Sequence, residues 1–460
     1  MEDMDDKVHE ECGVIGFYNN DNFNVASTLF LGLYALQHRG QESAGIAVNS
    51  NGKINYHKDK GLASQVFDKF VLNNLHGNFG IGHVKYGNLK NGGKENAGPI
   101  VLKYIAGEMA LANNGTIVNA QKLKDELHNV GYMFQSTTDT EIIAALIARE
   151  SIKNIPLEEC VKNTMNTIKG SYSLLITSED KIIAVRDPLG MRPLCLGKLE
   201  NSYIVCSETT ALDIVGAEFI RDINPGEIVI IDKSGVKSIQ AVDSKKSALC
   251  VFEYVYIARP DSVIDGASVY RSRFEAGRIL AQKCKIDADI VIGVPDSGIP
   301  TALGYAKESG IPYTYGFIKN RYVGRTFIEP TQNMRETAVA IKLNPMKDEI
   351  VGKKVIMADD SIVRGTTSIQ IVKMLRKAGV KEIHMIISSP PVRHSCYFGV
   401  DTPDSSKLVA NNYTEEGLRD LLGVDSLTFI SLEDLVKTPI GIKCGLCTAC
   451  FDGKYPIEVK

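Results

Sequence analysis

Val355-Ile356-Met357-Ala358-Asp359-Asp360-Ser361-Ile362-Val363-Arg364-Gly365-Thr366-Thr367-Ser368 is the stretch on which the reading of this chain turns. Val355 to Ala358 form an apolar run of buried-strand length. Two carboxylates, Asp359 and Asp360, arrive together at its carboxyl end. Ser361 to Thr367 then supply small polar side chains, one glycine and backbone N–H groups. From Ser368 an amphipathic pattern (Ile371, Met374, Leu375, Ala378) predicts a helix that Gly379 ends as a C′ residue. The layout is strand, acidic turn, hydroxyl-rich loop, helix. Such a loop wraps a phosphate with main-chain donors and sets it at the positive end of a helix. Two carboxylates beside a phosphate repel it unless they face a cation or sugar hydroxyls, so the combination points to a magnesium-chelated phosphosugar. Asp-Asp alone describes an ordinary strand-to-helix turn; the whole pattern makes the difference. No Gly-Lys-Thr/Ser follows the strand, which excludes a Walker loop.

Upstream, Ala288-Asp289-Ile290-Val291-Ile292-Gly293-Val294-Pro295-Asp296-Ser297-Gly298 is a second buried-strand run ending in a Pro/Gly loop, with helical periodicity over 299–309. Lys319, Arg321, Gly324 and Arg325 then share one exposed segment, the composition of a mobile lid that clamps polyphosphate and excludes water. With strands expected at 354–358 and 382–387, this half reads as a doubly wound α/β sheet whose site lies at the carboxyl ends of its strands. The 355–368 pattern resembles the phosphoribosyl pyrophosphate (PRPP) signature of type I phosphoribosyltransferases. That resemblance implies that Asp359 and Asp360 meet ribose hydroxyls or Mg²⁺, with Ser297 near the metal. It implies Ser361, Arg364, Gly365, Thr366 and Thr367 around the 5-phosphate, and Lys319 and Arg321 on PRPP as well.

The chain has 460 residues, room for two or three domains with ample cores. A net charge of −3 and 44% hydrophobic residues describe an ordinary soluble protein, and without a basic run there is no call for nucleic acid. No apolar stretch reaches spanning length, and the acidic start (Glu2, Asp3, Asp5, Asp6) lacks the basic n-region of a signal peptide. The expectation is a cytoplasmic protein with no membrane partner, so its ten cysteines are not expected to pair in disulfides. Cys160, Cys195, Cys206 and Cys284 sit singly in apolar patterns and read as buried core thiols.

Near the N-terminus, Cys12-Gly13-Val14-Ile15-Gly16 follows a charged leader of eleven residues. Leu36 to Ile46 (with Gln37-His38-Arg39-Gly40), Gly82-His83-Val84-Lys85-Tyr86, Asn113-Asn114-Gly115 and Thr137-Thr138-Asp139-Thr140-Glu141 come next in that order. Together they resemble the class II glutamine amidotransferase domain, in which the cysteine is the first residue of the mature chain. The resemblance implies removal of 1–11 as a propeptide. The free α-amino group of Cys12, titrating near pH 8 (about 7.7–8.0 in a model amine), then takes the thiol proton. It further implies Asn114 and Gly115 as oxyanion donors and Asp139 as the partner of the substrate ammonium. Lys85 stands where the family has an arginine for the substrate carboxylate, keeping the charge without the bidentate fork. Gly87-Asn88 replaces hydroxyl residues, and Asn113 replaces a histidine. Helices expected at 25–36 and 139–152, with strands at 170–176, 181–185, 202–206 and 227–231, fit two antiparallel sheets with helices packed outside.

Cys444-Gly445-Leu446-Cys447-Thr448-Ala449-Cys450 overlaps two Cys-x-x-Cys pairs, to which Cys250 and Cys396 add. By residue type alone, zinc, a redox dithiol or an iron–sulfur cluster would suit such ligands.

A glutaminase half followed by a phosphoribosyl half resembles the amidophosphoribosyltransferases over essentially the whole chain. The implied division is a propeptide 1–11, a glutaminase domain 12–245, a phosphoribosyltransferase domain 246–435 and a cysteine tail 436–460. The implied reaction makes 5-phosphoribosylamine from PRPP and glutamine, the first committed step of purine synthesis, with ammonia passed between two sites. The iron–sulfur subset of that family implies a [4Fe–4S] cluster on Cys250, Cys396, Cys447 and Cys450, leaving Cys444 spare. Mg²⁺, inhibition by purine nucleotides and a homotetramer are implied likewise. Glucosamine-6-phosphate synthase and asparagine synthetase share the glutaminase half, but neither uses a phosphoribosyl site. A PRPP-sensing regulator has no use for Cys12.

Overall fold

The computed structural model describes residues 12–21, 23–86, 93–243, 246–320 and 343–459, with the backbone alone at 9–10. Arg321, Gly324, Arg325, Gly87 and Asn88 lie outside the described residues, as does most of 1–11.

The N-terminal half is built on two antiparallel sheets. The seven-stranded sheet runs in the order 218–222, 195–199, 202–206, Cys12–Tyr18, Phe79–Lys85, Ser43–Ser50, Lys53–Lys60. The six-stranded sheet runs 235–240, 227–232, 182–186, 173–177, Gly107–Asn114, 100–104. All seven residues of Cys12–Tyr18 are buried because both faces are covered. Strand periodicity sends Val14 into the core between the sheets, with Ala47, Ile81, Ala112 and Leu175. It sends Ile15 and Phe17 outward, under the helix Ala26–Ala35. The second sheet is covered by Asp139–Ser151 and Leu157–Met165 through Ile143, Leu146, Cys160 and Val161. The result is helix, sheet, sheet, helix.

The C-terminal half carries a four-stranded parallel sheet, Ile290–Gly293, Lys354–Asp359, Glu382–Ile387 and Ser426–Phe429 in that order. Val355, Met357, Ile383 and Met385 face Ile371, Leu375, Leu418 and Leu422 of the helices Thr366–Lys377 and Glu415–Leu422. Ile356, Ala358 and Ile386 face Ala276, Leu280, Ala302 and Tyr305 of Val269–Lys283 and Ile299–Ser309. Helices therefore cover both sheet faces, as the continuous apolar strands require. Among the described residues no helix is long and apolar enough to cross a membrane.

Three local expectations are corrected. The run 170–176 enters its sheet only at Ser173, because Gly170 to Tyr172 turn against Thr116 and Ile117. The helix after the acidic turn begins at Thr366 rather than Ser368, since Gly365 takes the left-handed conformation (φ +83°) and caps it. Cys284 is only partly buried, its sulfur 3.4 Å from Thr428 Oγ1, whereas Cys160, Cys195 and Cys206 are core thiols as expected.

Candidate functional site

Cys12 opens its strand directly opposite Lys85 on the neighbouring one, and Lys85 lies opposite Ser43 on the next. Lys85 Nζ reaches the Asn96 carbonyl at 3.5 Å. Asn96 is locked to Thr137 both ways: its amide donates to Thr137 Oγ1 (2.9 Å), and its oxygen accepts from the Thr137 N–H (3.0 Å). Two residues on, Asp139 begins its helix, and its carboxylate accepts the Ile117 N–H at 3.0 Å. That bond ties it to the turn after Asn114. Asn114 ends the strand Gly107–Asn114 fully buried, and neither amide atom has a hydrogen-bond partner among the described residues. A buried amide left unpaired costs about 1–3 kcal/mol. A donor held ready for a developing oxyanion has to carry that cost. Gly115 adopts φ +133°, and its carbonyl accepts from the Asn113 amide at 3.0 Å. Cys12, Lys85, Asn114, Gly115 and Asp139 thus meet at one end of the paired sheets.

Two neighbours shape the charge there. Lys58 donates to the carbonyls of Ala97 (2.6 Å) and Pro99 (3.2 Å); burial, partly opposed by Glu141, pulls its ammonium down to about 8. Burial, reinforced by Lys85, pulls the His83 imidazole to about 3, so it is neutral at physiological pH and offers no cation. Nothing in the run 53–60 marks Lys58 out in sequence.

In the second half the strand Lys354–Asp359 delivers Asp359 and Asp360 to the carboxyl edge of the sheet, both buried. Asp360 accepts from the hydroxyls of Ser297 and Ser361, the latter at 2.7 Å, and the Asp360 N–H donates to Asp359 Oδ1 at 2.9 Å. Ser297 therefore arrives beside the acidic pair from the neighbouring strand's loop. Gly365 makes the first helical bond with Ile369 (2.9 Å), which places the N–H groups of Thr366 and Thr367 in the first turn of the helix. Lys319 pairs with Asp296 at 2.6 Å. Arg273 was not anticipated. It lies buried with its guanidinium on the carbonyls of Tyr254 (2.8 Å) and Ala258 (2.7 Å). Burial lowers its pKa to about 10, and Asp360 opposes that.

Cys284 apart, the five remaining cysteines of the second half separate into two groups. The strand pairing Leu249–Cys250 with Leu446–Cys447 puts Cys250 level with Cys447. Cys450 accepts the Arg393 and His394 N–H groups through its carbonyl, bringing up the segment that leads to Cys396. Burial raises the thiols of Cys250 and Cys450 well above the ordinary range and Cys447 to about 11, and the four sulfurs act electrostatically on one another. The Phe398 N–H donates to Cys396 Sγ at 3.3 Å. Cys444 faces elsewhere, its thiol donating to Asp265 at 3.2 Å. Among the described residues no group of three or more His, Cys, Asp or Glu is arranged to hold a metal ion. Mg²⁺ needs only one or two carboxylates besides water and substrate phosphates, which Asp359 and Asp360 could supply.

The glutamine amidotransferase domain family matches residues 92–214, and the phosphoribosyl transferase domain family matches 270–406. The chain is 49% identical to the amidophosphoribosyltransferase of Methanocaldococcus jannaschii, over 97% of this chain and 98% of that one. It is 45% identical to that of Bacillus subtilis, over 98% and 95%. The solved B. subtilis glutamine PRPP amidotransferase, in complex with ADP and GMP, superposes with a TM-score of 0.91 at 44% identity, covering 98% of both chains. With both halves matched in order and the full length aligned, the chain belongs to the amidophosphoribosyltransferases, the glutamine amidotransferases and pentosyltransferases that catalyse the first step of purine biosynthesis.

Proposed function

We propose that the chain, once shortened to begin at Cys12, runs the glutamine-dependent reaction with the following division of labour. The α-amino group of Cys12 takes the thiol proton, and the thiolate attacks the glutamine side-chain amide. Asn114 and the Gly115 N–H stabilise the oxyanion, ammonia leaves, and water later releases glutamate. Asp139 holds the substrate ammonium and Lys85 its carboxylate. In the second half Asp359 and Asp360 take the ribose hydroxyls or Mg²⁺, with Ser297 beside the metal. The loop Ser361, Arg364, Gly365, Thr366, Thr367 cradles the 5-phosphate, and Lys319 and Arg321 bind PRPP as well. Mg²⁺ held at Asp359 and Asp360 would supply the positive charge that offsets the pyrophosphate. Ammonia from the first site displaces pyrophosphate at the anomeric carbon.

The observation that carries the glutamine reading is the buried amide of Asn114, without a hydrogen-bond partner among the described residues, at the end of the sheets where Cys12 begins its strand. Lys85 and Asn113, which depart from the family pattern, favour a second reading in which the enzyme works from free ammonia alone. Turnover of Cys12→Ala with each donor separates them. The glutamine reading expects loss of glutamine-dependent product with the ammonia rate retained. Wild-type enzyme that is mature at Cys12 and turns over only with ammonia overturns it.

The remaining assignments rest on the resemblance and on the donor sets. Cys250, Cys396, Cys447 and Cys450 would hold a [4Fe–4S] cluster, a structural staple between the tail and the body of the second domain. Iron and sulfide analysis of anaerobically purified protein tests it. The domain limits 1–11, 12–245, 246–435 and 436–460, purine-nucleotide inhibition, a homotetramer and a cytoplasmic location belong to the same reading. The ADP and GMP in the B. subtilis complex support nucleotide control.

A further inference from the structure

The oxyanion turn of the first domain is braced by a segment of the second. Phe398 is the centre of this contact. Its carbonyl accepts from Ser171 Oγ at 2.6 Å and from Arg192 Nη2 at 2.7 Å. Ser171 is fully buried, and its hydroxyl oxygen also accepts the Thr116 N–H at 3.3 Å, one residue beyond Gly115. The Ser171 N–H donates to the Thr116 carbonyl at 3.1 Å, so Ser171 and Thr116 clasp each other. Gly399 follows Phe398 with φ +90° and lies so near that a Cβ on it would fall 3.0 Å from Gly115 Cα and 2.9 Å from Arg192 Nη2. Nothing in the sequence joins 398–399 to 115; the fold brings them together.

We infer that Ser171, Phe398 and Gly399 form a positioning element that sets the Gly115 N–H for the oxyanion, so that the glutaminase site is completed by the second domain. This rests on the glutamine reading above. The physical reason is economy of motion at a turn. Gly115 is held at φ +133°, a conformation open chiefly to glycine, which leaves the peptide plane carrying its N–H free to tilt. Oxyanion donors act only at defined distance and direction, and losing one costs about 10²–10³ in kcat. A turn so permissive needs an outside stop. The Ser171 clasp supplies it on one side, and the Gly399 backbone supplies it on the other. Arg192, buried and held by the same carbonyl, also faces Glu253 of the second domain at 3.7 Å, which makes the brace rigid.

The test is a pair of variants, Ser171→Ala and Gly399→Ala, in the mature full-length enzyme, with kcat and KM measured for glutamine and for ammonia. Ser171→Ala removes the hydroxyl that joins Thr116 to Phe398. Gly399→Ala pushes a methyl at Gly115. Both are expected to lower the glutamine kcat about ten- to a hundredfold with KM for glutamine within about twofold, because the lost interaction acts on the transition state. The ammonia-dependent rate should stay within about twofold of wild type, since PRPP chemistry lies in the other half. A glutamine kcat unchanged in both variants overturns the inference. Parallel loss of both reactions overturns it too, because the segment then merely holds the fold. Wild-type enzyme inactive with glutamine but active with ammonia would instead bring down the reading on which the inference stands, and the two failures are told apart by the wild-type control.

Discussion

Lys85 shows what one residue changes. Its ammonium is a point charge tethered by the Asn96 carbonyl, where a guanidinium would offer two parallel donors to a carboxylate. Lys85→Arg should therefore lower KM for glutamine by roughly tenfold, the worth of about one added charged hydrogen bond, and leave kcat with ammonia unchanged. Steady-state kinetics with both donors check it; an unchanged or raised KM would show that the strand opposite Cys12 is shaped for lysine. Asp222 gives a second residue-scale outcome. Burial, and then the neighbouring Asp265, push its carboxyl up to about 6, against Arg186 and Lys443. An unfolded aspartate titrates near 3.9. Between about pH 4 and 6 the folded chain keeps a proton that the unfolded chain has released, so this group makes stability fall as pH rises through that window. Above it the loss is complete. Asp222→Asn should then stabilise the protein at pH 7 by roughly 1–2 kcal/mol and flatten that slope in urea unfolding series between pH 4 and 7.

At the scale of elements, the acidic turn was the most legible part of the chain because strand, turn and helix each carry their own signal. Val355 to Ala358 announce a strand, and the periodicity of Ile371, Leu375 and Ala378 announces a helix. The helix start was misplaced by two residues because propensity does not report the left-handed Gly365, which lets Thr366 enter the first turn. That glycine carries the next prediction. Ala at φ +83° costs about 1–2 kcal/mol of backbone strain. Gly365→Ala should weaken PRPP binding about tenfold by tilting the first-turn N–H groups, with the glutaminase half reaction untouched; PRPP titration against both readouts decides it. What sequence did not disclose was set by tertiary contact. The residues next to Lys58, Arg273 and Ser171 in the chain do not mark them out. Each acquires its surroundings only when distant segments close over it. The cysteine tail lies between these cases: its spacing singles out the thiols, and the pairing of Cys250 with Cys447 and the bond of Cys444 to Asp265 set Cys444 apart from the others.

At the scale of the molecule, the two halves are joined by charge buried deep between them. Arg39, from the first half, is fully buried, donates to Glu208 of its own half and reaches Glu253 of the second at 2.6 Å. Glu208 also meets His38 (2.6 Å), the Arg259 N–H (3.0 Å) and Ser262 Oγ (2.7 Å); burial alone would raise its pKa, but Arg39 and then His38 hold it well below the carboxylate range. Arg186 forms a two-pronged pair with Asp265 at 2.9 and 2.7 Å. Such pairs add little over an apolar contact while intact, yet removing one partner strands a charge in the interior and costs about 3–5 kcal/mol. Glu253 is the partner shared by Arg39 and Arg192, so its loss takes one carboxylate from two buried guanidinium groups at the boundary, with Arg39 keeping Glu208. Glu253→Gln keeps the volume and removes the charge. Scanning calorimetry should show one cooperative transition for the wild type. For the variant it should show an earlier transition in which the first half melts away from the second, with glutamine-dependent turnover lost at lower temperature than ammonia-dependent turnover. Coincident loss of both activities with a single unshifted transition would mean that apolar packing alone holds the halves together. In that case the buried ions would have no share in joining the two sites.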